Sequence, residues 1–269
     1  MGGSHEFIIP AETPWLCDST VQRLFAAFLD AGEELYFVGG CVRNAVLGAP
    51  VSDIDLSTSA LPETTMAIVK AAGFKPVPTG IDHGTITAVR DGQPFEITTF
   101  RKDVETDGRR AVVAFSKNLR EDALRRDFTM NALYADQTGR VIDPTGGLPD
   151  ARAGRIRFIE NPHDRIREDH LRILRFFRFS AWYGNADLGF DADVLAAIAD
   201  LSDGVLDLSK ERVGQEMLKL LVAPNPVPAV AAMSQIGVLS KILPGADPQF
   251  LGPLVHLEEQ SGTQPDPLR

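Results

Sequence analysis

Periodic apolar positions divide the first sixty residues into short helices and strands. Residues 19–31 (STVQRLFAAFLDA) place apolar side chains at helical spacing behind a Ser/Thr cap, and Gly32 ends this helix. Residues 34–40 (ELYFVGG) indicate a buried strand that runs into a glycine turn, and residues 42–48 (VRNAVLG) indicate a second helix. Residues 53–58 (DIDLST) are expected to form the next strand.

The rest of the chain changes from mixed structure to helices. A helix is expected over residues 62–72, which open with a proline, and two strands are expected around Asp91-Gly92, a strong hairpin signal. The turn-rich residues 143–158 follow, and from about residue 163 the apolar spacing is helical.

The pattern therefore predicts an α+β fold. The first half should contain a small mixed or antiparallel sheet flanked by helices. From about residue 163 the chain should be helical, and the tail SGTQPDPLR should be unstructured or cut short.

Composition narrows the possible partners. The net charge of −10 argues against a protein that coats nucleic acid by bulk attraction, so any polyanion must meet local basic patches. No apolar run approaches the roughly 18 residues that a membrane span needs, and a cytoplasmic protein is expected. The two cysteines and five histidines form no metal-ligand spacing. The opening MGGSHEF resembles a cloning remnant.

The first candidate functional residues are two aspartates and a pair of adjacent glycines. Asp53 and Asp55 should project from the same side of a strand, with Ile54 and Leu56 buried behind them. Taken alone, this pair favours a solvated strand end; it also suits a divalent cation. Gly39-Gly40, between a strand and a helix, can cradle phosphate, and Arg43 can add a charged contact. The combination indicates phosphoryl or nucleotidyl transfer.

Two arginine-rich segments are further candidates. In residues 121–134 (EDALRRDFTMNALY) one of the adjacent arginines is expected to pair with Asp127 while the other reaches a ligand, although ordinary surface ion pairs explain this segment equally well. Residues 167–179 (REDHLRILRFFRF) should form a helix with Arg172 three residues after Asp169 on one side. A solvated basic face is the usual explanation for such a run, but an Asp and an Arg side by side can also recognise a nucleobase edge.

These motifs together resemble a known family. GGCVRNAVLG with DIDL, RRDFTMNAL, DPTGGLPDA, EDHLRILRFFRF and ERVGQEMLKLL occur in the order found in class II tRNA nucleotidyltransferases (CCA-adding enzymes) and bacterial poly(A) polymerases, from residue 38 to 221. The resemblance implies a nucleotidyltransferase head over 1–147, a helical neck that recognises the nucleotide over 148–223, and the start of a helical body over 224–269.

The resemblance also implies an activity and its substrates. It implies template-independent addition of C, C and A from CTP and ATP to the 3′ acceptor end of tRNA, with release of pyrophosphate. Asp53 and Asp55 would be the catalytic residues and would carry two Mg²⁺ ions. The nucleotide-binding residues that it implies are Gly39, Gly40, Arg43, Arg126, Asp127, Asp169, Arg172, Arg175 and Arg178.

The implied roles differ among these residues. Gly40 and Arg43 would hold the triphosphate, and Arg126 would contact the nucleotide in a site that Asp127 helps to order. Asp169 and Arg172 would act as a protein template for the base, supported by Glu168, while Arg175 and Arg178 would complete the pocket and its phosphate contacts. Arg212 and Glu216 would brace the neck helices.

Three features bear on the choice within the family. Residues 79–89 (TGIDHGTITAV) resemble the CCA-adding form rather than the basic segment of poly(A) polymerases, and residues 101–115 resemble the flexible loop of enzymes that also add the terminal A. Asn44 stands where the family usually has Asp, which puts the local ion pairing in doubt. Poly(A) polymerase and a non-catalytic RNA-binding relative remain alternatives, and the sequence does not define the oligomeric state.

Overall fold

The structure, a computed structural model, describes residues 6–104 and 112–267. The chain groups into two compact units, Met1–Arg152 and Ala153–Arg269. Residues 148–152 thus group with the first unit rather than with the helices that follow. The division of the helical part after residue 223 remains a prediction, and residues 105–111 of the predicted loop lie outside the described residues.

A seven-stranded mixed sheet in the described residues forms the centre of the first unit. Its strand order is β3-β4-β5-β2-β1-β8-β9, in which β2 and β5 are parallel and the other neighbours antiparallel. A separate antiparallel pair is formed by β6 and β7. The strands are β1 (Leu35–Val38), β2 (Asp55–Thr58), β3 (Lys75–Gly80), β4 (Thr85–Arg90), β5 (Gln93–Thr99), β6 (Arg101–Val104), β7 (Val112–Phe115), β8 (Tyr134–Ala135) and β9 (Val141–Ile142).

The helices of this unit bury apolar faces, and α1 and α4 have side-chain caps at their N-termini. They are α1 (Ser19–Asp30), α2 (Gly40–Leu47), α3 (Pro62–Ala71), α4 (Leu119–Leu124) and α5 (Gly147–Ala153). The cap of α1 is Asp18, not the Ser/Thr pair that the sequence suggested, because its carboxylate accepts hydrogen bonds from the backbone N–H groups of Thr20 and Val21. The ring of Phe25 on α1 packs 4.7 Å from that of Phe37 on β1.

The predicted fold class is confirmed, including the hairpin. Arg90 pairs with Gln93, and Asp91 and Gly92 both have positive φ, as a tight two-residue turn requires. One strand prediction is wrong in its start. Strand β2 begins at Asp55, so Asp53 lies two residues before it, and Ile54 is only half-buried while Leu56 is buried.

The second unit is helical in its described residues. In the described part of the whole chain, no helix is long and apolar enough to cross a membrane. The helices are α6 (Pro162–Glu168), α7 (Leu171–Tyr183), α8 (Ala192–Leu201), α9 (Lys210–Leu221), α10 (Val227–Gln235), α11 (Val238–Ile242) and α12 (Leu251–Ser261). A short 3-10 helix, Ser202–Asp207, follows α8.

The long helix predicted through residues 167–179 is broken at Asp169. This residue has an extended backbone, with φ −156° and ψ 105°, and its carboxylate accepts a hydrogen bond from the backbone N–H of Leu171 at 3.1 Å. Aspartate favours such capping geometry over the interior of a helix. Asp169 therefore lies at the joint between α6 and α7 and not on the helical face predicted for it.

Candidate functional site

The glycine turn between β1 and α2 lies directly against Arg126. Gly39 has a φ of 70°, and a Cβ there would lie 3.6 Å from Nη1 of Arg126. The N–H of Gly39 donates to the carbonyl of Leu133, and α2 has no side-chain cap at its N-terminus. Gly40 and Cys41 begin the helix, so their backbone N–H groups contribute to the positive end of its dipole.

Arg43, on the first turn of α2, is buried in a network of amide side chains. Its Nη1 donates to Oδ1 of Asn131 at 2.6 Å, and its Nη2 donates to Oδ1 of Asn44 at 2.9 Å. Asn44 in turn donates to the carbonyl of Pro50. The amide at position 44 thus helps to orient the Arg43 guanidinium through hydrogen bonds. The predicted triphosphate contact of Arg43 remains a prediction.

Asp127 fixes the other end of this network. Its Oδ1 accepts hydrogen bonds from the N–H of Phe128 at 2.8 Å and from Nδ2 of Asn131 at 2.9 Å. Because Asn131 also accepts from Arg43, the RRDFTMNA segment and the glycine turn are joined through one amide. The role of Asn131 was not predicted from the sequence.

Arg126 is held by two buried partners that the sequence did not single out. Asp122, only 1 % exposed, accepts hydrogen bonds from Nη2 of Arg126 at 3.0 Å and from the hydroxyl of Tyr134 at 2.7 Å. Nε of Arg126 donates to that hydroxyl, and the guanidinium lies over the Tyr134 ring. The expected arginine–Asp127 pair is therefore replaced, for Arg126, by a pair with Asp122 four residues earlier.

This cluster shifts the pKa values of its members. Burial alone would raise the pKa of Asp122, but the charge of Arg126 and the hydrogen bonds from Tyr134 and Arg126 lower it. Burial raises the pKa of Tyr134, and the neighbouring Asp122 raises it further. Arg126 therefore stays charged beside an ionised carboxylate.

Asp55 lies within the electrostatic range of Arg126 and next to further carboxylates. Burial raises the pKa of Asp55, Glu96 and Asp53 raise it further, and the positive charge of Arg126 opposes the rise. Glu96 is the register partner of Asp55 across the parallel β2–β5 pair. The alternation in PFEITTF, which buries Phe95 and Ile97 and exposes Glu96, was the available signal for this third carboxylate.

These carboxylates suit magnesium without forming a closed protein cage. No group of three or more His, Cys, Asp or Glu side chains among the described residues has the arrangement of a metal centre. Mg²⁺ usually takes one or two carboxylates and completes its shell with phosphate oxygens and water. Burial and the charges of Glu96 and Asp53 together raise the pKa of Asp55, and a divalent cation would compensate the part that is due to those charges.

In the second unit, Asp169 and Arg172 each have another side-chain partner. Asp169 Oδ2 accepts a hydrogen bond from Nη2 of Arg212 at 2.7 Å, whereas Nη1 of Arg172 donates to Glu168 Oε2 at 2.5 Å and to the carbonyl of Arg165 at 2.9 Å. Glu168 also pairs with Arg165. The side chain of Asp169 thus pairs with Arg212 on α9, and the side chain of Arg172 pairs with Glu168.

Arg175 and Arg178 pack on α7 and face α9. Nε of Arg178 lies 2.8 Å from Glu216 Oε2, and the guanidinium groups of both arginines lie over the ring of Phe179. Arg175 is the more exposed of the two side chains, at 31 % against 16 %. Glu216 therefore joins α7 to α9, while phosphate contacts by these arginines remain a prediction.

Comparisons with known proteins show the family of the chain. Residues 35–157 match the Poly A polymerase head domain, and residues 187–250 match the probable RNA and SrmB-binding site of polymerase A. The CCA-adding enzyme of Streptococcus pyogenes serotype M2 (strain MGAS10270) is 42% identical over 230 residues, which cover 85% of this chain and 55% of that enzyme. The chain thus spans about half the length of the curated relatives it matches.

Solved structures give the same result. The crystal structure of the Bacillus stearothermophilus CCA-adding enzyme in complex with CTP matches with a TM-score of 0.74 and 36% identity, over 88% of this chain and 54% of that one. The Thermotoga maritima CCA-adding enzyme complexed with tRNA_CCA shares the fold at a TM-score of 0.74 and 22% identity, over 95% of this chain and 60% of that one. Fold and site define a nucleotidyltransferase head followed by helices. The chain belongs to the class II tRNA nucleotidyltransferase family, which includes the CCA-adding enzymes and bacterial poly(A) polymerases.

Proposed function

We propose that the protein adds C, C and A to the 3′ end of tRNA from CTP and ATP, with Mg²⁺-dependent release of pyrophosphate. The observation that carries this proposal is the convergence at one end of the sheet of the Gly39 turn, Arg126 and Asp55. A phosphate-sized anion at the turn would meet helix N–H groups and a guanidinium within reach of a carboxylate.

Each residue of the first unit has a distinct task in this proposal. Asp53 and Asp55 hold the metal, with Glu96 adjoining them across the sheet. Bound Mg²⁺ would activate the 3′-hydroxyl of the tRNA and neutralise the charge of the leaving pyrophosphate. Gly39 and Gly40 leave room for the triphosphate, Arg126 contacts it, and Asp127 orders the site through Asn131 and Arg43.

The second unit supplies the choice of base. Asp169 and Arg172 offer acceptors and planar donors for the nucleobase edge, and their present partners Arg212 and Glu168 keep them oriented. Arg175 and Arg178 add positive charge along the same helix. Residues 148–223 are proposed as the neck, and residues 224–269 as the start of the body.

Incorporation assays test the proposal directly. The protein is incubated with tRNA that lacks its 3′ CCA, Mg²⁺ and labelled CTP or ATP, and the product should lengthen by C, C and A and then stop. Asp53→Ala and Asp55→Ala should abolish incorporation, whereas Asp91→Asn, at the exposed hairpin turn, is the matched control and should not. Absence of incorporation at saturating substrates, or full activity of Asp53→Ala, would overturn the proposal.

Poly(A) polymerase is the second candidate, because the head matches a domain described by that name. The same assay separates the two activities. A poly(A) polymerase would ignore CTP and extend ATP without a defined stop, which would appear as a ladder of products rather than as three discrete additions.

A further inference from the structure

His170 occupies the joint between α6 and α7, and its imidazole lies against Gly204. A Cβ at position 204 would lie 2.0 Å from Cδ2 and 2.2 Å from Nε2 of His170, although ordinary van der Waals contact begins near 3.4 Å. No side chain larger than hydrogen fits at position 204 while the ring keeps its position. The imidazole occupies the space that any other residue at 204 would need.

The backbone of Gly204 does not require glycine. The residue lies inside the 3-10 helix Ser202–Asp207 and is not one of the positive-φ glycines. Glycine in such an element is entropically unfavourable relative to alanine. The close approach of the imidazole is therefore the physical reason for glycine at this position.

The 3-10 helix is also anchored by α11. Nζ of Lys241 lies 2.5 Å from Oγ of Ser202 and 2.8 Å from Oδ1 of Asp203. Ser202 and Val205 are buried. A side chain added at position 204 would therefore displace His170 more readily than it would displace this helix.

Displacement of His170 would move the residues that begin α7. The carbonyl of Asp169 accepts the N–H of Arg172 at 2.9 Å, and the carbonyl of His170 accepts the N–H of Ile173 at 3.1 Å. The added Cβ would also lie 2.3 Å from Cγ of His170, so rotation of the ring about its own Cβ–Cγ bond does not relieve the clash. A shift of the His170 backbone would change the relative orientation of Asp169 and Arg172, which lie on either side of it.

We propose that the contact between His170 and Gly204 positions Asp169 and Arg172, which makes Gly204 a specificity-determining positioning residue. The inference rests on the proposed function, in which Asp169 and Arg172 recognise the base. Misplacement of recognition groups by about 1 Å can lower rates by up to about a hundredfold. The predicted defect is a loss of discrimination between nucleotides, not a loss of fold.

Single and double variants test the positioning role in the full chain. Incorporation of CTP and of UTP onto tRNA without CCA is measured for the wild type, Gly204→Ala, His170→Ala and the double variant. Gly204→Ala should reduce the CTP/UTP preference by roughly tenfold or more, with a melting temperature close to that of the wild type. In the His170→Ala background, Gly204→Ala should have no added effect, because the clashing ring is absent.

Gly214→Ala is the matched control, because a Cβ at this helical glycine of α9 meets nothing within 4 Å. Unchanged discrimination in Gly204→Ala, or an equal loss in both His170 backgrounds, would overturn the inference while leaving the proposed function intact. A wild-type chain that incorporates CTP and UTP equally would instead refute base recognition itself.

Discussion

Asp55 and Glu96 lie opposite each other in the parallel pair of β2 and β5. Burial raises the pKa of Asp55, and the negative charge of Glu96 raises it further. The end of the sheet therefore gathers negative charge that the neighbouring Arg126 offsets only in part.

Glu96→Gln should stabilise the metal-free protein at neutral pH and weaken its response to Mg²⁺. Because the pKa of Asp55 is higher in the folded than in the unfolded protein, its carboxyl group contributes stability at pH values below the pKa of an unfolded Asp, about 3.9. That contribution is lost as pH rises through the folded pKa. The substitution removes one cause of that rise. Melting temperatures between pH 4 and 8, with and without Mg²⁺, measure both effects.

The control for this experiment is Glu63→Gln, at the exposed start of α3. It removes the same charge outside the carboxylate group. If both variants changed the Mg²⁺ response equally, the pairing of Glu96 with Asp55 would have no part in it.

Asp122→Asn should destabilise the fold by about 3 kcal/mol, because it leaves Arg126 without its buried counter-charge. Tyr134→Phe removes two hydrogen bonds but no charge and should cost about 2 kcal/mol. Urea unfolding compares the two. A larger effect for Tyr134→Phe would show that the charge of Asp122 is not what holds Arg126.

The Asp122–Arg126 pair also predicts how the stability of the fold changes at acid pH. The lowered pKa of Asp122 contributes stability above the pKa of an unfolded Asp, and that contribution is lost as pH falls through the lower folded value. Asp122→Asn should therefore flatten the acid limb of the stability curve. An unchanged slope below pH 4 would contradict this assignment.

Arg212→Ala should reduce nucleotide selectivity while changing stability by less than about 1 kcal/mol, since the Arg212–Asp169 pair is largely exposed. Arg212→Lys keeps the charge but loses the planar donors and should give an intermediate result. Parallel incorporation assays with CTP, ATP, UTP and GTP measure selectivity. A stability loss with intact selectivity would make the contact purely structural.

Gly147→Ala should destabilise the first unit by roughly 1–3 kcal/mol, as overpacking generally does. The added Cβ would lie 2.0 Å from the backbone carbonyl oxygen of Thr129, which cannot rotate away. Gly214→Ala again provides the comparison in open space. Equal stability of the two variants would show that the DPTGG segment can shift from Thr129 without loss.

The parts of the molecule fixed by local chemistry could be predicted from the sequence. The Asp91-Gly92 hairpin and the Gly39 turn each depend on backbone conformations that only a few residue types adopt readily. The opposition of Glu96 and Asp55 depends instead on the register of a parallel strand pair, which no local pattern contains.

In the second unit, apolar periodicity alone does not predict where a helix ends. Residues 167–179 have helical spacing on both sides of Asp169, so periodicity predicts one continuous helix. The capping bond to Leu171 and the ion pair with Arg212 outweigh that preference. Arg212, far along the chain on α9, supplies a tertiary partner for the break.

The two buried partners of Arg126 have a consequence for how a ligand would be received. Its guanidinium is already oriented and immobilised once the domain has folded. The rotamer entropy of this side chain is therefore lost during folding and not when a ligand binds. A triphosphate would meet a preorganised cation, and its affinity would depend little on any later rearrangement of this side chain.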